Sequence, residues 1–448
     1  MEKYLVYGLG VTGISTIKTL DSMGAKVYVY VDTPKEELNK EFESLQGYKF
    51  EFLEKLDYNN LKNIDVMVKS PGIPMDNKNV EIAIKNNVEV ISDLELAYRL
   101  FPNRNLIAIT GTNGKTTTTS LLTQILKTSG KNAKFVGNIG VGMLWEIYNS
   151  SEDDYFVIEC SSFQLESVNT FRTKTSGLIN ITPDHIDWHK SMENYIKAKS
   201  NIFAFQKESD TLVVNIDGEI VKDIIKNAKC NIIKTSKNEI LKDGIYLEDG
   251  VIKYNNKVEI IDIIKVSELG IIGLHNVENT MIAIGMAISE NIDLESIRKA
   301  CKLFTAVEHR MEFVREINKV KYYNDSKGTN VDASIKAVES FDKPIILIAG
   351  GYDKKADLDE FFKVLKGKVK TIILMGQTRE KFAQKAYEYK IPEVYLVENM
   401  EEAVSKAAES AVEDDIVLLS PASASWGMYK NFEIRGRHFK KIVNSLGD

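Results

Sequence analysis

The sequence predicts an α/β protein of three domains: an N-terminal Rossmann-like domain, a central P-loop ATPase-like domain and a C-terminal Rossmann-like domain. Three observations predict it. Short β-branched runs alternate with polar helical stretches towards both ends of the chain, which is the pattern of parallel α/β units. Between them an apolar strand runs into a glycine-bearing loop and then a helix that opens Lys115-Thr116-Thr117. The 448 residues also exceed what one hydrophobic core usually serves.

In chain order, residues 4–7, 26–31, 65–69 and 88–91 read as the strands of a small parallel unit. A pause at Phe101-Pro102-Asn103-Arg104 precedes an apolar strand at 106–109 and a helix from Lys115. Strands at 156–159 and 177–181, a helix from about 192 to 205, a polar β-rich stretch at 211–264 and a helix after His275 complete the central domain. Further strands at 320–324, 344–349, 371–375 and 415–420, each followed by a loop and a helical pattern, predict another doubly wound sheet. The expected domains are 1–93, 94–300 and 301–448.

Composition narrows the function. The chain is 44% hydrophobic and 27% charged, enough for a real core. Its 58 basic residues against 64 acidic ones give a net charge of -6, so no basic field exists to draw nucleic acid or an anionic membrane. Small-molecule partners and a monomer are expected. No apolar run approaches the roughly 20 residues that span a bilayer, and the start passes directly into a strand, so a cytoplasmic location is expected. Cys160, Cys230 and Cys301 match no metal or redox spacing and read as reduced thiols.

Gly8-Leu9-Gly10-Val11-Thr12-Gly13 follows a strand, and Asp32 ends the next one. Glycines there let backbone approach a pyrophosphate at a helix N-terminus, and the carboxylate can accept from a ribose or base. Taken alone, the pattern leaves open NAD or FAD, another nucleotide diphosphate, or a tight strand-helix turn. The run Thr110-Gly111-Thr112-Asn113-Gly114-Lys115-Thr116-Thr117 is the sharper signal. It reads as a phosphate cradle in which the helix dipole and Lys115 meet phosphate charge and Thr116 reaches Mg²⁺. Ile109 stands where the usual P-loop pattern has its first glycine. Glu159 and His185 both follow strands of the same sheet, where such folds place their chemistry. Mg²⁺ prefers oxygen, so Glu159 suits it, whereas His185 alone reads as a buried or capping histidine and Lys199 alone as a solvated face residue.

These residues resemble the Mur ligases, and within them the D-glutamate-adding branch, over nearly the whole chain. The shortened phosphate loop 111–117, Gly137-Asn138-Ile139-Gly140, Glu159 with Ser161-Ser162-Phe163-Gln164-Leu165-Glu166, Asp184-His185, Tyr195 with Lys199, His275-Asn276 with Asn279, and His309-Arg310 carry the family likeness. The branch is marked by residues 8–15, Ser70-Pro71-Gly72-Ile73, residues 324–330, and Ser420-Pro421-Ala422-Ser423-Ala424-Ser425 with Lys430-Asn431-Phe432-Glu433.

The resemblance implies an ATP-dependent amide ligase that joins D-glutamate to UDP-N-acetylmuramoyl-L-alanine through an acyl phosphate. Other amino-acid ligases of the Mur or folylpolyglutamate type are the alternative on the same scaffold. By the same resemblance Val11, Thr12, Asp32, Thr33 and Ser70 lie near the uridine nucleotide, and Asn138 touches the muramoyl group. Gly111, Thr112, Asn113, Gly114, Lys115, Thr116 and Thr117 face ATP, as do Asn276, Asn279, Arg310 and Asp325. Lys327, Thr329, Lys354, Ser425 and Phe432 hold D-glutamate. One Mg²⁺ is expected on Thr116 and Glu159, and a second on His185 and a carbamylated Lys199. Closure of the third domain is expected to assemble the site. Two passages depart from the family wording: Gly350-Gly351-Tyr352-Asp353-Lys354-Lys355, which leaves Lys354 or Lys355 open as the glutamate contact, and Trp426-Gly427-Met428-Tyr429.

Overall fold

The computed structural model describes residues 2–138, 142–305, 307–353 and 357–447. Its strands form three sheets in chain order. The first comprises β1 (Lys3–Tyr7), β2 (Lys26–Tyr30), β3 (Glu51–Phe52), β4 (Val66–Lys69) and β5 (Glu89–Ile91), all parallel, in the order β3-β2-β1-β4-β5. Strand β1 shows why its sequence is apolar on both faces. Tyr4 and Val6 enter one core while Leu5 and Tyr7 enter another, as the two-residue period of a strand requires.

The second sheet holds β6 (Asn105–Thr110), β7 (Ala133–Gly137), β8 (Tyr155–Glu159), β9 (Thr175–Leu178), β10 (Thr211–Asn215), β11 (Asn231–Ser236), β12 (Gly244–Glu248), β13 (Val251–Asn255) and β14 (Ile260–Lys265). Its order is β14-β13-β12-β11-β10-β9-β6-β8-β7, parallel from β7 to β12 and antiparallel thereafter. The third sheet joins β15 (Glu312–Ile317), β16 (Val320–Asn324), β17 (Ile345–Ala349), β18 (Val369–Leu374), β19 (Glu393–Leu396) and β20 (Ile416–Leu419) in the order β15-β16-β20-β17-β18-β19, with only β15 antiparallel.

By packing, the chain divides into two compact units, one of residues 1–267 and 278–301, the other of 268–277 and the residues from 302 on. In the first unit, the two leading sheets share one hydrophobic core that runs from Val6 and Ile17 to Leu144, Ile147 and Phe156. Helix Val11–Ser22 packs so closely there that a Cβ on Gly142 would overlap the Cβ of Ser15, whose Oγ accepts from the Trp145 amide at 2.8 Å. Apolar layers cover both faces of the third sheet in the second unit.

Several expectations shift. The helix expected to reach residue 205 ends at Ser200, and the strand expected at 177–181 is Thr175–Leu178. The single helix after His275 is two, Leu274–Ser289 and Leu294–Leu303. Strands β3, β7, β15 and β19 are additions. The three cysteines are free thiols, two of them buried. Among the described residues, no helix is long and apolar enough to cross a membrane.

Candidate active site

The phosphate loop leaves the carboxyl end of β6 and enters helix Lys115–Thr128. Gly114 makes the turn in the left-handed region, φ 88°, and a Cβ there would strike the Asn279 amide, so this position requires glycine and holds Asn279 against the loop. Residues after β9 fasten the other side. The Asn113 amide donates to Asn180 Oδ1 at 2.9 Å, the Thr112 hydroxyl donates to the Thr182 carbonyl at 3.0 Å, and the Tyr195 hydroxyl lies 2.9 Å from that of Thr112.

Two lysines converge on this loop. Lys115 Nζ donates to the carbonyls of Gly111 and Thr112, both at 2.9 Å, and Lys199 Nζ donates to the same Gly111 carbonyl at 2.7 Å. Lys199 is not the solvated residue its sequence position suggests: it is 1% exposed and lies over the Tyr195 ring. Burial, and then the nearby charge of Lys115, hold its pKa well below the usual lysine value.

Beside them Glu159 ends β8 and is 1% exposed. Its Oε1 accepts from Asn138 Nδ2 at 3.3 Å, while Oε2 has no hydrogen-bond partner among the described residues. A buried carboxylate oxygen left bare is costly unless a cation completes it. With the Thr116 hydroxyl it offers the hard oxygen donors that Mg²⁺ prefers, so these residues fit the ion. Among the described residues, no three His, Cys, Asp or Glu side chains stand close enough to hold a metal by themselves. Protein ligands few in number suit an ion that also takes phosphate oxygens.

His185 begins the short helix Ile186–His189 with φ 53°, and its ring meets Phe163 edge-on at 4.9 Å. Its side chain is 40% exposed, and Nε2 lies 3.6 Å from Asp184.

Val11, Thr12, Asp32, Thr33 and Ser70 follow the carboxyl ends of the neighbouring strands β1, β2 and β4. Val11, Asp32 and Thr33 are exposed, and the Ser70 hydroxyl is buried without a partner among the described residues. The Asp32 carboxylate accepts from Tyr7 Oη at 2.6 Å, Asn79 Nδ2 at 3.1 Å and Tyr30 Oη at 3.3 Å. Sequence reasoning missed this cage, because tyrosine in a strand reads as core.

In the second unit, Asp325 follows β16 and is 1% exposed. It accepts from the Ser420 hydroxyl at 2.8 Å, and burial pushes its pKa up to about 6. Arg310 Nε is buried without a partner among the described residues. Lys327 lies 5.5 Å from the Phe432 ring centroid, the Thr329 amide donates to the Lys327 carbonyl, and Ser425 is buried. Arg435, also missed, ties this group together. It donates to the Ser326 carbonyl at 2.8 Å, the Ser326 hydroxyl at 3.0 Å and the Ser423 carbonyl at 3.2 Å. Asn276 donates to the Ile272 carbonyl at 2.6 Å. The expected glutamate contact Lys354, like Lys355, lies outside the described residues, as do Ile139 and Gly140.

A glycine-bearing loop at a strand's carboxyl end, ahead of a helix opening Lys-Thr-Thr, in a chain that also forms an α/β sheet before and another after it in sequence, defines the class: a three-sheet α/β protein of the P-loop kind. Family models agree along the chain, namely the MurD-like N-terminal domain of Mur ligases over residues 2–92, the Mur ligase middle domain over 109–287 and the Mur ligase glutamate ligase domain over 309–423. The UDP-N-acetylmuramoylalanine--D-glutamate ligase of Thermoanaerobacter sp. (strain X514) is 46% identical over 99% of this chain and 98% of its own length. The protein of the same name from Clostridioides difficile (strain 630) is 43% identical over 99% of both chains. Among solved structures, the UDP-N-acetylmuramate-alanine ligase of Thermotoga maritima shares the fold with a TM-score of 0.60 at 19% identity, over 99% of each chain. The chain belongs to the Mur ligase family.

Proposed function

We propose that the protein is a cytoplasmic ATP-dependent amide ligase that adds D-glutamate to UDP-N-acetylmuramoyl-L-alanine in the making of peptidoglycan precursors. The observation that carries this reading is the meeting of Lys115 and Lys199 on one carbonyl beside a buried carboxylate, one oxygen of which has no partner among the described residues. Such a site is organised for phosphate and cation charge. The near half-identity to D-glutamate ligases over full length supports the choice of amino acid.

A carboxylate forms no amide until its oxygen becomes a leaving group. In the proposed reaction the alanyl carboxylate takes the γ-phosphoryl group of ATP, and ADP leaves. The unprotonated amine of D-glutamate then attacks the carbonyl carbon, a proton is lost from nitrogen, and phosphate departs as the C–O bond breaks. Two anions must meet in line, so the protein's task is neutralisation and alignment. Lys115 is the cation for the β and γ phosphates, and Asn279 steadies the loop at Gly114. Thr116 and Glu159 would hold one Mg²⁺, and His185 and Lys199 would hold a second. Bound there, the ions supply charge compensation for the phosphoryl and acyl oxygens. Mg²⁺ prefers an anionic oxygen to an amine nitrogen, and as an ammonium Lys199 would repel a cation. Its depressed pKa supports carbamylation, in which the neutral amine attacks CO₂, forms the N–C bond and releases a proton. Lys327, Thr329, Ser425 and Phe432 are the proposed contacts for D-glutamate, and Asp32, Thr33 and Ser70 those for the uridine nucleotide.

The test is phosphate release by the purified protein with a panel of amino acids. Release that requires both UDP-N-acetylmuramoyl-L-alanine and D-glutamate is the expected outcome. Release with another amino acid in its place would move the protein to a different branch of the family.

A further inference from the structure

Lys69 is the last residue of β4, one residue before the Ser70-Pro71-Gly72 loop, and its side chain has no solvent exposure. Its Nζ lies 3.4 Å from Glu166 Oε1 and 3.4 Å from the Phe163 carbonyl. Glu166 continues the path. Its two oxygens each lie 3.3 Å from Trp188 Nε1, and Oε2 lies 3.6 Å from His189 Nδ1. The far nitrogen of His189 lies 3.0 Å from the Ser162 hydroxyl, and the Phe163 ring packs on His185, Trp188 and His189 together.

The turn so gripped is a strained one. It starts at His185 with φ 53° and ends at Lys190 with φ 66°, both side-chain-bearing residues in the left-handed region. Such backbone is unfavourable for residues with side chains and persists where its surroundings hold it. Glu166 grips the two residues inside this turn, Trp188 and His189, and Lys69 is the cation beside Glu166. Asp93, Asp76, Asp187 and Lys199 are the other charged groups facing this cluster.

We propose that Lys69 is a positioning residue that ties the loop for the uridine nucleotide to the turn carrying His185, so that binding at Ser70 and the placement of His185 depend on each other. The inference rests on the ligase reading above. Reciprocity follows from linkage: whatever the turn gains from an occupied loop, the loop gains from a well-placed turn.

The experiment compares the full-length Lys69→Arg, Lys69→Met and Lys69→Met/Glu166→Met proteins by steady-state kinetics and thermal melting. The single Met variant strands a buried carboxylate and is the one at risk of misfolding, whereas the double variant replaces the ion pair by apolar side chains, a change the interior often tolerates. Expected for the double variant is a near-normal melting temperature, kcat lowered roughly ten- to a hundredfold as His185 shifts, a raised KM for the UDP substrate and an unchanged KM for ATP. Lys69→Arg should retain most of the activity. A double variant with both constants within about twofold of wild type, or one that does not fold, would overturn the positioning role. So would Lys69→Arg performing no better than the double variant. Wild-type protein that makes no amide from these substrates would sink the ligase reading, which the variants' own behaviour cannot do.

Discussion

Two glutamates of the first unit are equally hidden from water and could hardly differ more in their surroundings. Glu95 is wholly buried and receives hydrogen bonds from the amides of Asn169, Thr170 and Phe171, from the Thr170 hydroxyl and from Arg99. Burial works to raise its pKa, and these donors overcome it, so the carboxyl lies below its usual value. Glu159 has one long contact and one oxygen with no partner among the described residues. A carboxylate completed by its own protein fixes a loop. One left incomplete awaits a charge from outside, and that difference separates scaffold from site more sharply than burial does.

Substitution should therefore move different quantities in the two regions. The largest effect is expected from Glu159→Ala, which should lower turnover on the order of 10³-fold while leaving the melting temperature unchanged or higher. A drop in stability equal to that of a Glu95 variant would erase the contrast. Glu95→Gln should do the reverse, losing about 3 kcal/mol in denaturant unfolding, since the new amide nitrogen cannot accept from the backbone N–H groups of residues 169–171 and leaves buried donors unpaired, with near-normal kcat where the protein is folded.

Lys199→Ala sharpens the comparison from the cation side. Turnover should fall roughly a hundredfold and recover partly with acetate, which can supply the missing anionic ligand, and full activity without acetate would exclude a carbamylated lysine. Lys327→Met should raise the KM for D-glutamate about tenfold with little change in that for the UDP substrate. The reverse split would place the amino acid elsewhere.

The smallest effect concerns pH. Burial lowers the pKa of His189 to about 4, with His185 and Lys199 adding to it. In the unfolded chain this histidine protonates near pH 6.5. Its contribution is thus fully present above that value and lost as pH falls towards 4. Melting temperature measured across this window should decline less steeply in His189→Gln than in wild type.

Most of the fold could be read from the sequence because parallel strands buried on both faces are continuous apolar runs. β17, Ile-Ile-Leu-Ile-Ala, is such a run. The missed strands are weak ones: β3 has two residues, β15 carries three charged side chains on an antiparallel edge, and β7 and β19 also lie at sheet edges. The site divides in the same way. The phosphate loop, Asp32 and Ser70 are local signals set by glycine spacing and strand ends. The burial of Lys199, the lock between Asn113 and Asn180, the Asn279 contact at Gly114 and the Arg435 clamp on Ser326 and Ser423 exist only after distant segments meet, and no local pattern encodes them.

The overlap that a Cβ on Gly142 would make with Ser15 bears on how this enzyme can be dismantled or recombined. Residues 1–93 look modular on paper, yet one side of their first helix is committed to residues 142–148 through Ser15 and Ser22, so cutting after Asp93 would bare that side and weaken the piece. Exchange of residues 1–93 between ligases should succeed only when residues 142–148 travel with them.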